Sequence, residues 1–578
     1  MNICTIIARN YLPYARVLAR SHAEHHPGAH CYVLVIDALS GEIDGAAEPF
    51  EPLAISDIGL AEFDEMRGTY DILELSTAVK PWLLRTILAR HDAPVAYLDP
   101  DIQLHGPLEA VEQALGEHPM VLTPHLTGAM PRDGLKPTEQ DILIAGVYNL
   151  GFIGLAPDPE TDTFLDWWSE RLLTDCHNRP ERGFFVDQRW VDFVPGLVPH
   201  LTILRDPGYN LAYWNLPHRE LRWDEGYTVD GAPLRFFHFS GYDPEKPHKL
   251  SKHQNRVSLS SNPALKRICD EYGQALLESG WEQSREVGYE LDRLPSGLRL
   301  TRRMRDLYRE GLEDELVPAN LFTPAGEAEF IAFLNDPSED EPAVSRYLYD
   351  VWKHRLDLQR AYPYLDDPEI ADGFHGWAGV FGTNEVPIPE QLMPARSAEI
   401  REQMGGPAPA PAGDGAGSQG GRPPMPGVNV AGYLRAELGI GEIARQLVVA
   451  LDAVGVPVAP LALDAPNSRQ GHPFGALDAT EPPFPVSVIC INADGLPRFA
   501  EQAGDVFFAG RYNVGLWWWE TSSFPERFEG SFGWVDEIWA GTRFVAETLS
   551  AVSPVPVVRI PMPVVVPDAE PLAAGELG

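Results

Sequence analysis

Apolar runs five to eight residues long alternate with helix-length segments across the first 250 residues. The runs fall at 3–8, 31–38, 95–99 and 120–124, and helical stretches at 11–26 and 77–91 lie between them. A run apolar on both faces suits a strand covered on both sides. Strand–helix–strand order then calls for a mainly parallel sheet, with functional loops at the strands' carboxyl ends. The expected fold class is α/β. From about 260 to 400 the pattern turns helical, for example at 300–315 and 343–361, with aromatic packing from Tyr347, Trp352, Tyr362 and Tyr364. Residues 404–427 are Gly, Pro and Ala with no apolar periodicity, the composition of a linker. A new first strand follows at 428–433, then a helix from about 442 to 454 and strands at 486–491, 513–519 and 537–540. The expected organisation is an α/β domain over 1–258, a helical module over 259–403, the linker 404–427, and a second, Rossmann-like α/β half-domain over 428–578.

Charge narrows the function classes. With 45 Lys+Arg against 84 Asp+Glu in 578 residues the net charge is −39, which argues against binding nucleic acid or an anionic membrane. Five scattered cysteines without C-x-x-C spacing fit a reducing compartment. The amino terminus reads as a strand rather than a signal peptide, and no run approaches the length of a transmembrane segment. The expectation is a soluble, cytoplasmic protein. Only seven lysines occur, and three, Lys246, Lys249 and Lys252, fall within seven residues. That local reversal of sign, reinforced by His248, His253 and Arg256, suits an anion; a basic loop paired with surface acids is the alternative.

The strongest constellation is Tyr97-Leu98-Asp99-Pro100-Asp101-Ile102. An apolar strand ends in two carboxylates one residue apart, and alternate residues of an extended chain point the same way. Asp99 and Asp101 can therefore converge on one hard divalent cation, Mg²⁺ or Mn²⁺, leaving positions for phosphate oxygens. An Asp-Pro turn closing the strand is the other reading. Around it, in order, lie Lys80-Pro81, Asn149-Leu150-Gly151, Asp187-Gln188 and His238-Phe239-Ser240-Gly241.

That order, K-P, Y-L-D-x-D, N-x-G, D-Q, then H-x-x-G with nearby lysines, resembles nucleotide-sugar glycosyltransferases of the GT-A fold, of the glycogenin and bacterial galactosyltransferase type. The resemblance covers roughly residues 1–255. It implies that Asp99, Asp101 and His238 bind Mn²⁺ (or Mg²⁺), which bridges the diphosphate of a nucleotide-sugar donor, UDP-linked by expectation. Ala8 and Asn10 would face the nucleoside and Lys80 the ribose or phosphate. Gly241 with Lys246 or Lys249 would meet the diphosphate; Lys246 lies two residues beyond the family's usual spacing. Asn149, Gly151, Asp187 and Gln188 would surround the donor sugar and the glycan or glycolipid acceptor. Asp187 would be a general base if the anomeric centre is inverted. With retention, the family's course and the one preferred here, Asp187 and Gln188 position groups at the reacting face. Asp187 as a helix N-cap and His238 as a satisfied core histidine are the structural alternatives.

The second α/β segment carries a Gly-rich turn, Gly432-Tyr433 and Leu438-Gly439-Ile440-Gly441-Glu442, with Trp517-Trp518-Trp519. It resembles the amino-terminal, acceptor-binding half of a GT-B glycosyltransferase, which alone would not transfer sugar; a truncated product and a half completed by a partner are the two expectations. Close backbone packing explains the glycines as well, and core packing explains the tryptophans. Two other function classes fit the same residues: a metal-dependent phosphoesterase acting on nucleotide sugars, and a non-catalytic glycan-binding scaffold.

Overall fold

The structure is a computed structural model that describes residues 1–382, 386, 388–403, 427–454, 456–463, 477–478, 482–508, 511–550 and 552–562. The chain divides into two compact units, Met1–Gly417 and Ser418–Gly578. The expected linker, apart from Gly427, lies outside the described residues. No described helix is long and apolar enough to cross a membrane.

The first unit is built on a seven-stranded sheet. Its strands along the chain are β1 (Asn2–Ile7), β2 (Cys31–Val35), β3 (Glu51–Leu53), β4 (Val95–Leu98), β6 (Met120–Pro124), β7 (Tyr148–Leu155) and β10 (Leu201–Ile203). Short strands outside it are β5 (Ile102–Leu104), β8 (Asn178–Arg179), β9 (Phe184–Phe185), β11 (Leu221–Trp223), β12 (Tyr227–Val229), β13 (Ala232–Pro233) and β14 (Phe236–His238). The sheet order is β10-β6-β7-β4-β1-β2-β3. β7 alone runs against the others, antiparallel to both β4 and β6. The sheet is covered on both faces, as the apolar runs require. On β1, Cys4 and Ile6 enter one core and Ile3 and Ile7 the other.

The expected helix over 77–91 is two helices, Ile72–Ala78 and Lys80–His91, which meet at Val79. The expected helix over 343–361 is also broken, into Arg346–Lys353 and Leu356–Ala361. The helical segment belongs to the same compact unit as the sheet. Its helix Arg302–Glu313 packs on the carboxyl end of helix Phe63–Thr69. There the Arg305 guanidinium donates to the carbonyls of Arg67 and Gly68, and Arg309 donates to Thr69 O at 2.9 Å. The last carbonyls of a helix have no partner within it, so arginines one turn apart on a neighbour satisfy them and complement the dipole. A side chain at Gly68 would press on the Tyr308 ring, at 2.6 Å from Cε1.

The second unit is a fully parallel sheet of β15 (Val428–Gly432), β16 (Val458–Ala462), β17 (Leu477–Asp478), β18 (Val486–Cys490), β19 (Tyr512–Trp517), β20 (Glu537–Ala540) and β21 (Val557–Arg559). Its order is β17-β16-β15-β18-β19-β20-β21, so the chain reverses direction beside β15, where the Gly-rich turn opens helix Gly439–Ala453. A Cβ on Gly432 would sit 3.1 Å from Cys490 Cβ and 3.2 Å from Ala444 Cβ, so close packing accounts for that glycine. Trp517 is buried against Phe524 and Phe532.

Replacing Arg305 by leucine leaves two buried carbonyls without donors. The expected cost is about 1–3 kcal/mol in the stability of the first unit, read from urea unfolding of the full chain.

Candidate active site

The site is assembled at the carboxyl end of β4. That strand lies between β1 and β7 and is buried throughout, which sets Asp99 at the sheet's edge. The Asp99 amide donates to Gly151 O at 2.8 Å, extending the β4–β7 ladder by one residue. The Ile102 amide donates back to Asp99 O at 3.1 Å, which closes the turn through Pro100 and aims both carboxylates to one side. β5 then pairs antiparallel with β14, with His238 opposite Ile102, and the Phe239 amide donates to Asp101 O at 2.9 Å. Residues 137 positions apart are thereby held together. His238 Nε2 lies 3.0 Å from Asp101 Oδ1 and 3.8 Å from Asp99 Oδ2, and one ligand atom from each residue falls within 4.8 Å of the others. This is the one such group of His, Cys, Asp and Glu among the described residues.

What holds His238 decides what it can bind. Its Nδ1 lies 3.3 Å from Asn149 Oδ1, which also accepts from Asn210 Nδ2 at 3.0 Å. Asn210 Nδ2 further donates to Thr123 Oγ1, and Asn149 Nδ2 to His125 Nε2. With its oxygen committed as acceptor, Asn149 can accept a hydrogen bond from an Nδ1–H, and Nε2 faces the two carboxylates. Three electron-rich atoms aimed at one another need a proton or a cation between them. Two carboxylate oxygens and one imidazole nitrogen form a donor set suited to Mn²⁺. Burial pushes the His238 pKa down, but Asp101 and Asp99 together outweigh it and the net direction is up. Burial pushes Asp99 up, opposed by Lys80 and His238, and Tyr97 Oη donates to its Oδ1 at 2.9 Å.

Lys80 and Asp187 form a buried ion pair beneath this trio. Lys80 Nζ is 2.6 Å from Asp187 Oδ2, donates to Leu150 O at 3.0 Å, and lies 4.1 Å over the Tyr97 ring. Their side chains are 1% and 2% exposed, so Lys80 sits in the interior. Burial raises the Asp187 pKa and Lys80 opposes it. The preceding Val186 has φ of +42°, a conformation that β-branched residues rarely adopt, while Trp168 Nε1 donates to Asp187 O. Gln188 is buried and bonded at both ends: Oε1 accepts from the Leu150 amide at 2.8 Å and Nε2 donates to Ala145 O at 2.9 Å. Asn149, Asp187 and Gln188 thus brace β7 and His238. A Cβ at Gly151 would collide with His238 Cε1 and Nδ1.

Ala8 is buried at the end of β1, and Asn10 Oδ1 is buried with no hydrogen-bond partner among the described residues. Gly241, at φ +72°, starts a loop that the Lys252 amide closes by donating to Gly241 O at 3.0 Å. A Cβ there would meet His253 Cδ2 at 2.6 Å. Lys246 and Lys252 are exposed on this loop and Lys249 is half-buried. Arg256 does not extend the cationic run. Its side chain is buried and pairs with Asp133 and with the carbonyls of Leu135 and Pro137.

Sequence reasoning missed Asp37, His125 and Asn210. Asp37 follows the apolar run of β2, as Asp99 follows β4, and accepts from the Arg9 amide at 2.8 Å beside Ala8. That shared strand-end position was the available signal. His125 and Asn210 act only through tertiary contacts.

No family model matches the chain. Two Bacillus subtilis (strain 168) proteins, both described as uncharacterized, are similar to part of it. YfnF is 27% identical over 248 residues, 41% of this chain and 80% of its own. YfnD is 23% identical over 246 residues, 41% and 76%. Among solved structures, the galactosyltransferase LgtC in complex with donor and acceptor sugar analogs aligns with 48% of this chain and 96% of its own, at 15% identity and TM-score 0.30. The glycosyltransferase GlyE of Streptococcus pneumoniae TIGR4 aligns with 49% and 64%, at 16% and 0.29. Mouse xyloside xylosyltransferase 1 aligns with 41% and 96%, at 11% and 0.26.

Two outcomes follow from this geometry. Gly151→Ala displaces the His238 ring and weakens Mn²⁺ binding by about tenfold in calorimetry, the scale of a disturbed ligand support. Burial lowers the pKa of His22, His105, His125 and His177 to about 4, whereas an unfolded histidine titrates near ~6.5. Between those values the unfolded chain binds more protons, so stability falls as pH drops from about 6.5 to about 4. A His125→Gln variant shows a shallower fall in melting temperature over that window.

Proposed function

We propose that the first unit is a metal-dependent glycosyltransferase that moves a hexose from a nucleotide diphosphate sugar, UDP-linked by preference, to a glycan or glycolipid acceptor. The observation that carries this reading is the convergence of His238 Nε2 on two strand-end carboxylates, 3.0 Å from Asp101 Oδ1 and 3.8 Å from Asp99 Oδ2. Asp99, Asp101 and His238 would hold Mn²⁺ or Mg²⁺, which supplies positive charge to a diphosphate as it leaves. The other residues each have a part. Lys246, Lys249 and Lys252, on the loop that begins three residues after His238, would add charge to the same leaving group in a protein of net charge −39. Asp37 and Asn10, with Ala8, form polar ends of β1 and β2 where a nucleoside would lie, and the unpartnered Asn10 Oδ1 is a free acceptor for it.

The Lys80–Asp187 pair favours retention of configuration. A general base must be free to take a proton from the acceptor hydroxyl. Asp187 is buried and committed to Lys80, so to act as base it would have to leave a buried cation unpaired, at a cost of several kcal/mol. As a fixed charge with its neighbour Gln188, it instead holds β7 and Lys80 in register under the donor sugar. The second unit, with its parallel sheet and reversal beside β15, fits a GT-B-like acceptor-binding half.

The test is nucleotide-sugar turnover after chelation. Mn²⁺ restores release of nucleoside diphosphate, and Asp99→Asn/Asp101→Asn lowers it by about a thousandfold. Release of nucleoside monophosphate would point to phosphoester hydrolysis by the same carboxylates, and full activity in the double variant would remove the assignment.

A further inference from the structure

The first unit holds a second charged place beside its helical segment. A cavity of about 190 Å³ lies between helix Arg302–Glu313, helix Ile72–Ala78 and the β8–β9 hairpin. That volume is below the ~300–1,000 Å³ that takes a whole small ligand, and it suits a single functional group. Arg179, Arg299, Arg302, Arg305 and Arg309 all line it, against three carboxylates. In a chain of net charge −39 that is a local excess of positive charge. None of the residues placed in the active site lines this cavity.

The three carboxylates are already engaged. Asp71 Oδ1 accepts from the Glu74 amide at 2.9 Å, Glu74 Oε1 from the Asn178 amide at 2.8 Å, and Asp292 Oδ2 from Arg299 Nε. Arg179 and Arg309 share one further carboxylate, that of Asp306. Two cations are left without one. Arg302 is exposed, and its side chain makes no hydrogen bond or ion pair among the described residues. Arg305 is only 4% exposed. It spends Nη1 on the carbonyls of Arg67 and Gly68, while Nε and Nη2 have no partner among the described residues, and neither atom is closed off from solvent. A buried guanidinium with open N–H groups and no carboxylate against it is costly, because nothing replaces the water it has lost. Burial pushes its pKa down, and Tyr289, Asp292, Asp71 and Glu74 offset that only in part. Helix Arg302–Glu313 also starts at this cavity, which adds the positive end of its dipole.

We propose that this cavity is an oxyanion-binding site that takes one phosphate or carboxylate group between Arg305 and Arg302. A planar guanidinium presents paired N–H donors that match two oxygens of such a group, and the partly exposed Arg299 adds a third charge. Ile72 and Leu300 supply apolar wall, so the carrier of the group needs no further charge. A free small anion and an acidic sugar share this chemistry. Binding of either is independent of the glycosyltransferase reading.

Calorimetry on the full chain without metal tests it, with inorganic phosphate, glucose 6-phosphate and glucuronate as probes and glucose as the neutral control. At least one of the three anions binds saturably and glucose does not. Arg302→Glu, which breaks no other bond, weakens that binding by about tenfold and leaves the melting temperature unchanged. Lys266→Glu, an equal charge reversal outside the cavity, weakens it by less than about twofold, because salt screens a remote surface charge. Tighter binding of glucose 6-phosphate than of inorganic phosphate identifies a sugar-borne anion, and equal or weaker binding a free one. Absence of saturable binding by all three anions overturns the proposal. Equal binding of glucose does so too, as does anion binding that Arg302→Glu leaves unchanged or that both reversals weaken alike. The measurement uses neither donor nor metal, so its failure leaves nucleotide-sugar turnover standing, and loss of turnover leaves the anion site standing.

Discussion

Carboxylates placed at the buried end of a central strand need positive charge, and that requirement organises the first unit. Asp99 and Asp187 meet Asp101 in one small volume, and burial disfavours ionisation of Asp99 and Asp187. The protein supplies Lys80 from below and His238 from the side. Lys80 satisfies Asp187 and tempers Asp99 through space, while lying on the Tyr97 ring. His238 comes from a distant strand, and its approach depends on the absence of a side chain at Gly151. With these two in place, Asp99, Asp101 and His238 form a group that could hold a metal ion.

The same charge logic operates at larger scale. Against a net charge of −39 the lysines of the 241–252 loop stand out, and the structure keeps Lys246 and Lys252 at the surface while Arg256 is drawn inward as a tie to residues 133–137.

What was legible in the sequence followed from periodicity. Runs apolar on both faces marked β1, β2, β4 and β6, and the D-x-D at the end of β4 gave the site. The helical segment after residue 260 was also legible, though the helix expected over 343–361 is broken at His354 and Arg355, as Val79 divides the one expected over 77–91. The strands β10 to β14 left little trace. They are two or three residues long, and Leu221–Trp223 has one buried residue and two exposed. The resemblance put Lys80 beside the ribose or phosphate; that its side chain is buried on Asp187 follows from tertiary packing alone. The resemblance put Asn149 beside the donor sugar, and its Oδ1 also lies 3.3 Å from His238 Nδ1. Such roles depend on neighbours 24 to 89 residues away. Local pattern carries none of that information.

The central claim is that His238 is a metal ligand whose free nitrogen is fixed by Asn149. Pulsed electron paramagnetic resonance of the Mn²⁺-loaded protein tests it directly. The account predicts ¹⁴N modulation from one directly bound imidazole, lost in His238→Gln. A spectrum without nitrogen coupling in the wild-type chain, or coupling unchanged in that variant, would contradict it.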